Sequence, residues 1–270
     1  MVDHVSPLTP RQVSISLDLP TDRGHRVRTR DSGGRVDRRH RRRCTPADGT
    51  DANRSESAKT GVPPLSARTE WWNTLTHGGT AVAAAVGLVA IVVVLSQGAT
   101  AAQWAAGLAF GSSLTYLYLA SFLSHYYSWR LDPERRRFWR RQDQVGILVT
   151  AACSLAPLAV HAEGVGVLVF PLMTLAVAYL LIALVRQSGR TLNPLYMAQM
   201  GWLPPLAAID IARLGGTPGM MLAGGGGLCY LGGLVFLMND GRRWWFHPVW
   251  HLFAAAGSAM HYAFLVGWCL

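Results

Sequence analysis

Charge is scarce in this 270-residue chain. Asp, Glu, Lys and Arg make up 15% of it, where a soluble globular domain carries about 25%. Lysine is nearly missing, with one copy against 24 arginines, a bias that points to a GC-rich bacterial genome. Cysteine is sparse as well. Cys44, Cys153, Cys229 and Cys269 lie far apart with no CxxC pair, which excludes a disulfide framework and a cysteine zinc site. The glycine run Gly224 to Gly227 has no Lys-Ser/Thr after it and sits in apolar surroundings. It is therefore no phosphate loop, and close helix contact through small residues explains it better. An ordinary soluble enzyme is excluded by the same numbers: 50% of residues are apolar, mean hydropathy is +0.21, and tryptophan reaches ten copies.

The net charge of +10 is unevenly spread. Residues 1–69 hold 14 of the 25 basic residues and 8 of the 15 acidic ones. This stretch is rich in Arg, Asp, Ser, Pro and Gly, too polar to offset its ordering entropy, and reads as a disordered basic tail. Its densest run, Arg38-Arg39-His40-Arg41-Arg42-Arg43, suits a solvated position beside anionic lipid headgroups better than a nucleic-acid surface. Residues 70–270 read as one membrane domain. Seven apolar stretches approach the roughly 20 residues that a spanning helix needs: 73–95, 102–127, 145–160, 165–185, 195–211, 220–238 and 247–270. Helices satisfy their own backbone groups in lipid, so the expected fold is an all-α bundle of seven transmembrane helices. Pro204-Pro205 should kink the fifth.

Basic residues orient the bundle. With the tail in the cytoplasm, the second loop (Arg130, Arg135, Arg136, Arg137, Arg140, Arg141), the fourth (Arg186, Arg190) and the sixth (Arg242, Arg243) are inside too. That places 24 of 25 basic residues inside and leaves Arg213 outside. The C-terminus is then external. The expected location is a bacterial inner (plasma) membrane. Membrane lipids are the expected partners, their anionic headgroups facing the Arg-rich loops and tail.

Ionisable groups within a membrane are costly and so mark function. In His247-Pro-Val-Trp-His251 the i, i+4 spacing puts both rings on one face, a turn apart, which suits two nitrogens on one zinc ion. The topology brings His125, at the end of the second helix, and Asp143, opening the third, to the same depth. His125, His247 and His251 are the expected metal ligands. Ser121, one turn from His125, is a candidate donor to Asp143 or to a metal-bound water, or else bonds its own helix backbone. Asp143 is a candidate base, or else pairs with Arg140 or Arg141. Glu70, Asn73 and His77 share one face of the first helix at the same depth. His77 is a candidate for contact with ligand or substrate, or for a structural role. His161 falls in an outer loop and is expected to be solvated. His261, roughly 21 Å deeper than His247 at 1.5 Å per residue, is expected to hydrogen-bond within the bundle. Asp210 and Arg213 look like an interfacial ion pair.

Ser121-xxx-His125, Asp143 and His247-xxx-His251 together resemble the hemolysin III proteins. These group with the progestin and adipoQ receptors and, more distantly, the alkaline ceramidases. Asn73-Thr-Leu-Thr-His77, Tyr196-Met-Ala-Gln-Met-Gly201-Trp202 and Gly232-Gly233 support the likeness, which covers about residues 70–270. It implies zinc held by His125, His247 and His251, with Ser121 and Asp143 beside a metal-bound water. It also implies an inner N-terminus. Activity is left between two classes. One is a zinc-dependent hydrolase acting on a membrane lipid amide or ester from the inner leaflet, with Asp143 and Ser121 as its catalytic residues. The other is a pore-forming cytolysin or channel-like protein with a structural zinc site.

Overall fold

The structure is a computed structural model that describes residues 67–187 and 192–270, apart from Pro194, Tyr196 and Met197. The tail expected over 1–69 lies outside the described residues except for its last three, which open the first helix. Tyr196 and Arg190 lie outside them as well.

All regular structure among the described residues is helical. α1 spans Ala67–Leu95 and α2 Ala101–Trp129. Thr100 caps α2: its hydroxyl accepts from the Gln103 amide while the Gln103 side chain reaches back to the Thr100 amide, which satisfies two orphan donors at once. α3 runs Pro133–Cys153, α4 is the single turn Ala156–Ala159, and α5 spans Val169–Arg186 after a 3₁₀ turn at Gly164–Leu168. Two further 3₁₀ turns, Gln199–Trp202 and Pro204–Ala207, lead into α6, Ala208–Met238. α7, Phe246–Trp268, closes the bundle. Neighbours in sequence pack together: α1 on α2, α2 on α3 and α6 on α7, with α7 returning to α1.

Five segments are long and apolar enough to cross a membrane: Ala67–Leu95, Ala101–Trp129, Gly164–Arg186, Pro204–Met238 and Phe246–Trp268. Their outer faces are apolar. Val82, Val86, Val89 and Val93 of α1 are each more than half exposed, while Glu70, Asn73 and His77 of the same helix are buried. Polar groups inside and aliphatic groups outside invert the pattern of a water-soluble bundle.

Helix boundaries differ from the expected ones in informative places. The third helix starts at Pro133 rather than 145, because Asp132 accepts a hydrogen bond from the Arg135 amide and Pro133 takes the first turn, a strong start signal. Its first two turns carry the arginine cluster, so Asp143 lies well inside the helix and does not open it. Pro204-Pro205 do more than kink the fifth stretch. They hold it in 3₁₀ turns until Ala208. Between the fifth and sixth stretches α6 runs on without a loop, but its backbone breaks at Gly216 (φ 55, ψ −150), a conformation open to glycine and strained for other residues.

Interior polar contacts pin the bundle. The Tyr118 and Tyr230 hydroxyls each lie 2.7 Å from Ser258 Oγ, joining α2, α6 and α7, and Tyr118 also donates to the Ala254 carbonyl. His261 Nε2 donates to the Ala223 carbonyl at 3.0 Å, as expected of a histidine at that depth. At the opposite end from the buried Glu70, Arg213 bonds Asp210, Glu163 and the His161 carbonyl. The Asp210–Arg213 pair is thus present, and part of a larger tie. His161 is not merely solvated, because its Nε2 meets the Cys269 carbonyl at 3.0 Å.

The glycine run brings α6 against α7. A Cβ at Gly257 would stand 2.9 Å from the Gly226 carbonyl oxygen and 3.1 Å from the Tyr230 ring. Gly257→Leu should therefore separate these helices and destabilise the protein by about 1–3 kcal/mol, the usual cost of overpacking. Thermal unfolding in detergent checks this. A wild-type midpoint would show that the contact is looser than these distances.

Candidate metal centre

Four histidines from three helices meet at one end of the bundle. The His77 ring lies 3.7 Å from that of His251 and 5.8 Å from that of His125, centroid to centroid. His125 lies 4.9 Å from His251 and 5.2 Å from His247, and the two α7 rings are 4.5 Å apart. The α7 pair meets because i, i+4 positions share a face. His77, His247 and His251 are buried.

Three of the four rings are tethered through Nδ1. His125 Nδ1 lies 2.8 Å from Glu70 Oε2, and His247 Nδ1 lies 2.7 Å from Asp240 Oδ2. An ionised carboxylate only accepts, so both imidazoles carry their proton on Nδ1. His251 Nδ1 lies 3.3 Å from Thr76 Oγ1. The Thr76 hydroxyl has one proton, and it is directed to the Trp72 and Asn73 carbonyls of its own helix. Thr76 therefore accepts from His251, whose proton is on Nδ1 too. All three rings are left with an Nε2 lone pair free, the arrangement in which histidines bind metals.

Glu70 is anchored in turn by Ser128, which donates to its Oε1 at 2.7 Å. Asp240, in the turn before α7, also accepts from the Gly241 amide. Burial works against its ionisation, yet the hydrogen bond and charge of His247 hold the carboxyl below its usual range. A depressed carboxyl of this kind stabilises the fold at neutral pH, and the contribution is lost as pH falls through the lowered value.

The residue set fits a metal by its donor chemistry. His77, His125 and His251 offer ring nitrogens all within 4.8 Å of one another. Both nitrogens of His77 and both polar side-chain atoms of Asn73, one turn away, are buried without a hydrogen-bond partner among the described residues. Orphaned groups of this kind need an occupant such as water or an ion. Neutral imidazole nitrogen is a preferred zinc ligand, and three such ligands leave a fourth position open. His247, expected in the ligand set from its spacing, stands beside this trio.

Beside the rings is a cavity of about 50 Å³. Glu70, His125 and His247 line it together with Arg136, Arg140 and Asp143 of α3. Ser121 lies beside the Asp143 carboxylate. No ion pair joins Asp143 to Arg140 or Arg141 among the described residues; Arg141 donates instead to the Leu184 carbonyl. Glu70 was visible in sequence as a residue sharing a face with Asn73 and His77, but its bond to His125 crosses 55 positions and carries no local signal. Thr76 and Asp240 were missed. The signal available for Asp240 was a lone carboxylate seven residues before His247 in an otherwise arginine-bearing loop.

Apolar-faced helices around a buried polyhistidine centre define a multi-pass membrane protein with a candidate metal site. The family model described as "Haemolysin-III related" matches residues 65–262. The chain belongs to that family. It is 28% identical over 193 residues to "Hemolysin-3" of Bacillus cereus, covering 70% of this chain and 86% of that protein. It is also 28% identical over 164 residues to the human "Monocyte to macrophage differentiation factor", covering 57% of this chain. The matched region spans 66% of the human protein's length. No solved structure matches the chain significantly.

Glu70→Ala should leave the His125 Nδ1–H and the Ser128 hydroxyl unpaired at the α1–α2 contact. The expected loss is about 1.5–3 kcal/mol, the worth of a hydrogen bond to a charged group. Denaturant or thermal unfolding in detergent measures it, with Glu70→Gln expected to fall between the two. Unchanged stability in Glu70→Ala would show that the bond contributes nothing to the fold.

Proposed function

We propose that this protein is a zinc-dependent hydrolase that cleaves an acyl bond, most readily an amide, in a membrane lipid reached from the inner leaflet. The observation that carries the reading is the set of three Nδ1-tethered imidazoles, each with its Nε2 free, beside a cavity that also holds Asp143. His125, His247 and His251 would hold the ion, with His77 against the same centre. A zinc ion there would supply Lewis acidity and bring the pKa of a water to about 7. Asp143 accepts a proton from the attacking water as its oxygen adds to the acyl carbon. When the C–N bond breaks, the same carboxyl returns the proton to the departing nitrogen, so the amine leaves neutral. Ser121, beside it, would orient the carboxylate. The apolar outer faces of the helices are compatible with an acyl chain arriving sideways from lipid.

The topology that fits this reading has seven spans, with α3–α4 and the irregular stretch up to Gly216 as the two short ones. The N-terminus is cytoplasmic, the C-terminus external, and the centre lies just under the inner headgroups of a bacterial plasma membrane. The positive-inside distribution supports it. Reporter fusions at the tail and at Leu270 should report opposite sides; both ends on one side would refute it.

The name of the Bacillus cereus relative supports a second reading, a pore-forming cytolysin with a structural zinc site. In reconstituted vesicles the two diverge. One zinc per chain is expected, lost in the main from His125→Ala or His251→Ala, and whichever of His247→Ala and His77→Ala also loses it identifies the third ligand. Full occupancy in a His247→Ala/His251→Ala variant would end the ligand assignment. Asp143→Asn should keep zinc but abolish hydrolysis of lipid amides, since an amide cannot act as the base. Dye leakage that persists in zinc-free protein, with no lipid amide cleaved, would favour the pore.

A further inference from the structure

Arg136 and Arg140 are spaced i, i+4 on α3, so both face the cavity, one turn apart. Neither has an ion-pair or hydrogen-bond partner for its side chain among the described residues, although other arginines of the helix do: Arg135 pairs with Asp132, and Arg141 bonds Leu184. The carboxylates whose charge reaches Arg140 are those of Glu70, Asp143 and Asp240, and the guanidinium of Arg136 repels it. Two of those carboxylates are already engaged: Glu70 holds His125 and Ser128, and Asp240 holds His247 and the Gly241 amide. Asp143 lies beside Ser121 and makes no ion pair with either arginine among the described residues. Two half-buried guanidinium forks are thus left over, opening on a shared polar space. Cations removed from water without a partner are costly, and the cost is offset once an anion enters.

The chemistry of the gap specifies the anion. A guanidinium presents a planar fork that matches the oxygens of phosphate or carboxylate. Two forks a turn apart have more donors than the two oxygens of a carboxylate can use bidentately, whereas a phosphate offers several oxygens on a tetrahedron. A volume of about 50 Å³ exceeds the roughly 10–15 Å³ needed to hold one water and so leaves room for a small polar group. The arginines are followed along α3 by Asp143 and then by its apolar part, so an anion held between them lies where a headgroup would sit if the chains extended toward lipid.

We propose that Arg136 and Arg140 form a phosphate-binding subsite at the mouth of the histidine centre, which selects lipids carrying an anionic phosphate headgroup. The proposal deepens the lipid-hydrolase reading by naming its substrate class, and it rests on that reading for the identity of the bond cleaved, but not for binding itself.

The test is calorimetric binding to the full chain, purified in detergent and loaded with zinc, using three probes: dioctanoyl phosphatidic acid, dioctanoylglycerol and inorganic phosphate. Phosphatidic acid should bind and dioctanoylglycerol should not. Arg136→Gln and Arg140→Gln should each weaken phosphatidic acid binding about ten- to hundredfold, the worth of a hydrogen bond between charged groups. Arg140→Lys, which keeps the charge and loses the fork, should fall between wild type and Arg140→Gln, and covers the case in which the glutamine variant fails to fold. Arg135→Gln, on the exposed side of the same helix, should bind as wild type does. Zinc content at the wild-type level confirms that each variant is folded. Binding insensitive to both arginines overturns the subsite. So does equal weakening by Arg135→Gln, which would mean a diffuse surface charge effect. Inorganic phosphate bound as tightly as the lipid overturns the headgroup as its source. Binding lost only in the His247→Ala/His251→Ala variant assigns the anion to the metal and also overturns the subsite. Because nothing is hydrolysed in this assay, absence of amide cleavage elsewhere would defeat the enzymatic reading and leave this result intact.

Discussion

The 2.8 Å bond between His125 Nδ1 and Glu70 is the contact on which the polar end of the bundle depends. A carboxylate buried in a membrane-facing helix is tolerated only with a partner. Glu70 finds two, His125 and Ser128, both on α2. That fixes the rotation of α1 against α2, and everything else follows from the rotation. It turns Asn73 and His77 inward, it sets Thr76 against His251, and it leaves the valine face of α1 outward. One charged hydrogen bond therefore both orders the bundle and chooses the tautomer of a ring in the candidate centre.

The opposite end is tied differently. Arg213 gathers Asp210, Glu163 and the His161 carbonyl, and the His161 ring meets the Cys269 carbonyl. Here the polar groups are spent on one another. Around the histidines they are not: ring nitrogens and guanidinium groups are left over. The contrast between a saturated end and an unsaturated one singles out the histidine end as the candidate site without reference to any relative.

The helical class, five apolar stretches long enough to cross a membrane and the approach of the His125, His247 and His251 rings were legible in the sequence, because apolar run length and i, i+4 spacing are local signals. His77 was legible as a face-mate of Glu70 and Asn73. What was not legible came from two sources. Thr76, Asp240 and the Glu70–His125 bond join residues far apart in sequence or hidden in a loop, and only packing selects them. The start of α3 was missed because an arginine-rich prefix reads as a loop by hydropathy, although Asp132-Pro133 is a strong helix start. The same mistake hid Arg136 and Arg140, which face a cavity only if their segment is helical. The fifth stretch was expected as a kinked helix, and two consecutive prolines made it 3₁₀ instead, since each removes an amide donor.

The ring tethers also impose an order in time. Among the described helices, Glu70 and Thr76 belong to the first in chain order, whereas the rings of His247 and His251 belong to the last. Any ion held jointly by His125 and His251 bridges the second helix to the seventh, and so cannot be captured while the ribosome is still producing the middle of the chain. A polypeptide cut short before α7 would keep the acceptors and His125 but lack two of the imidazoles.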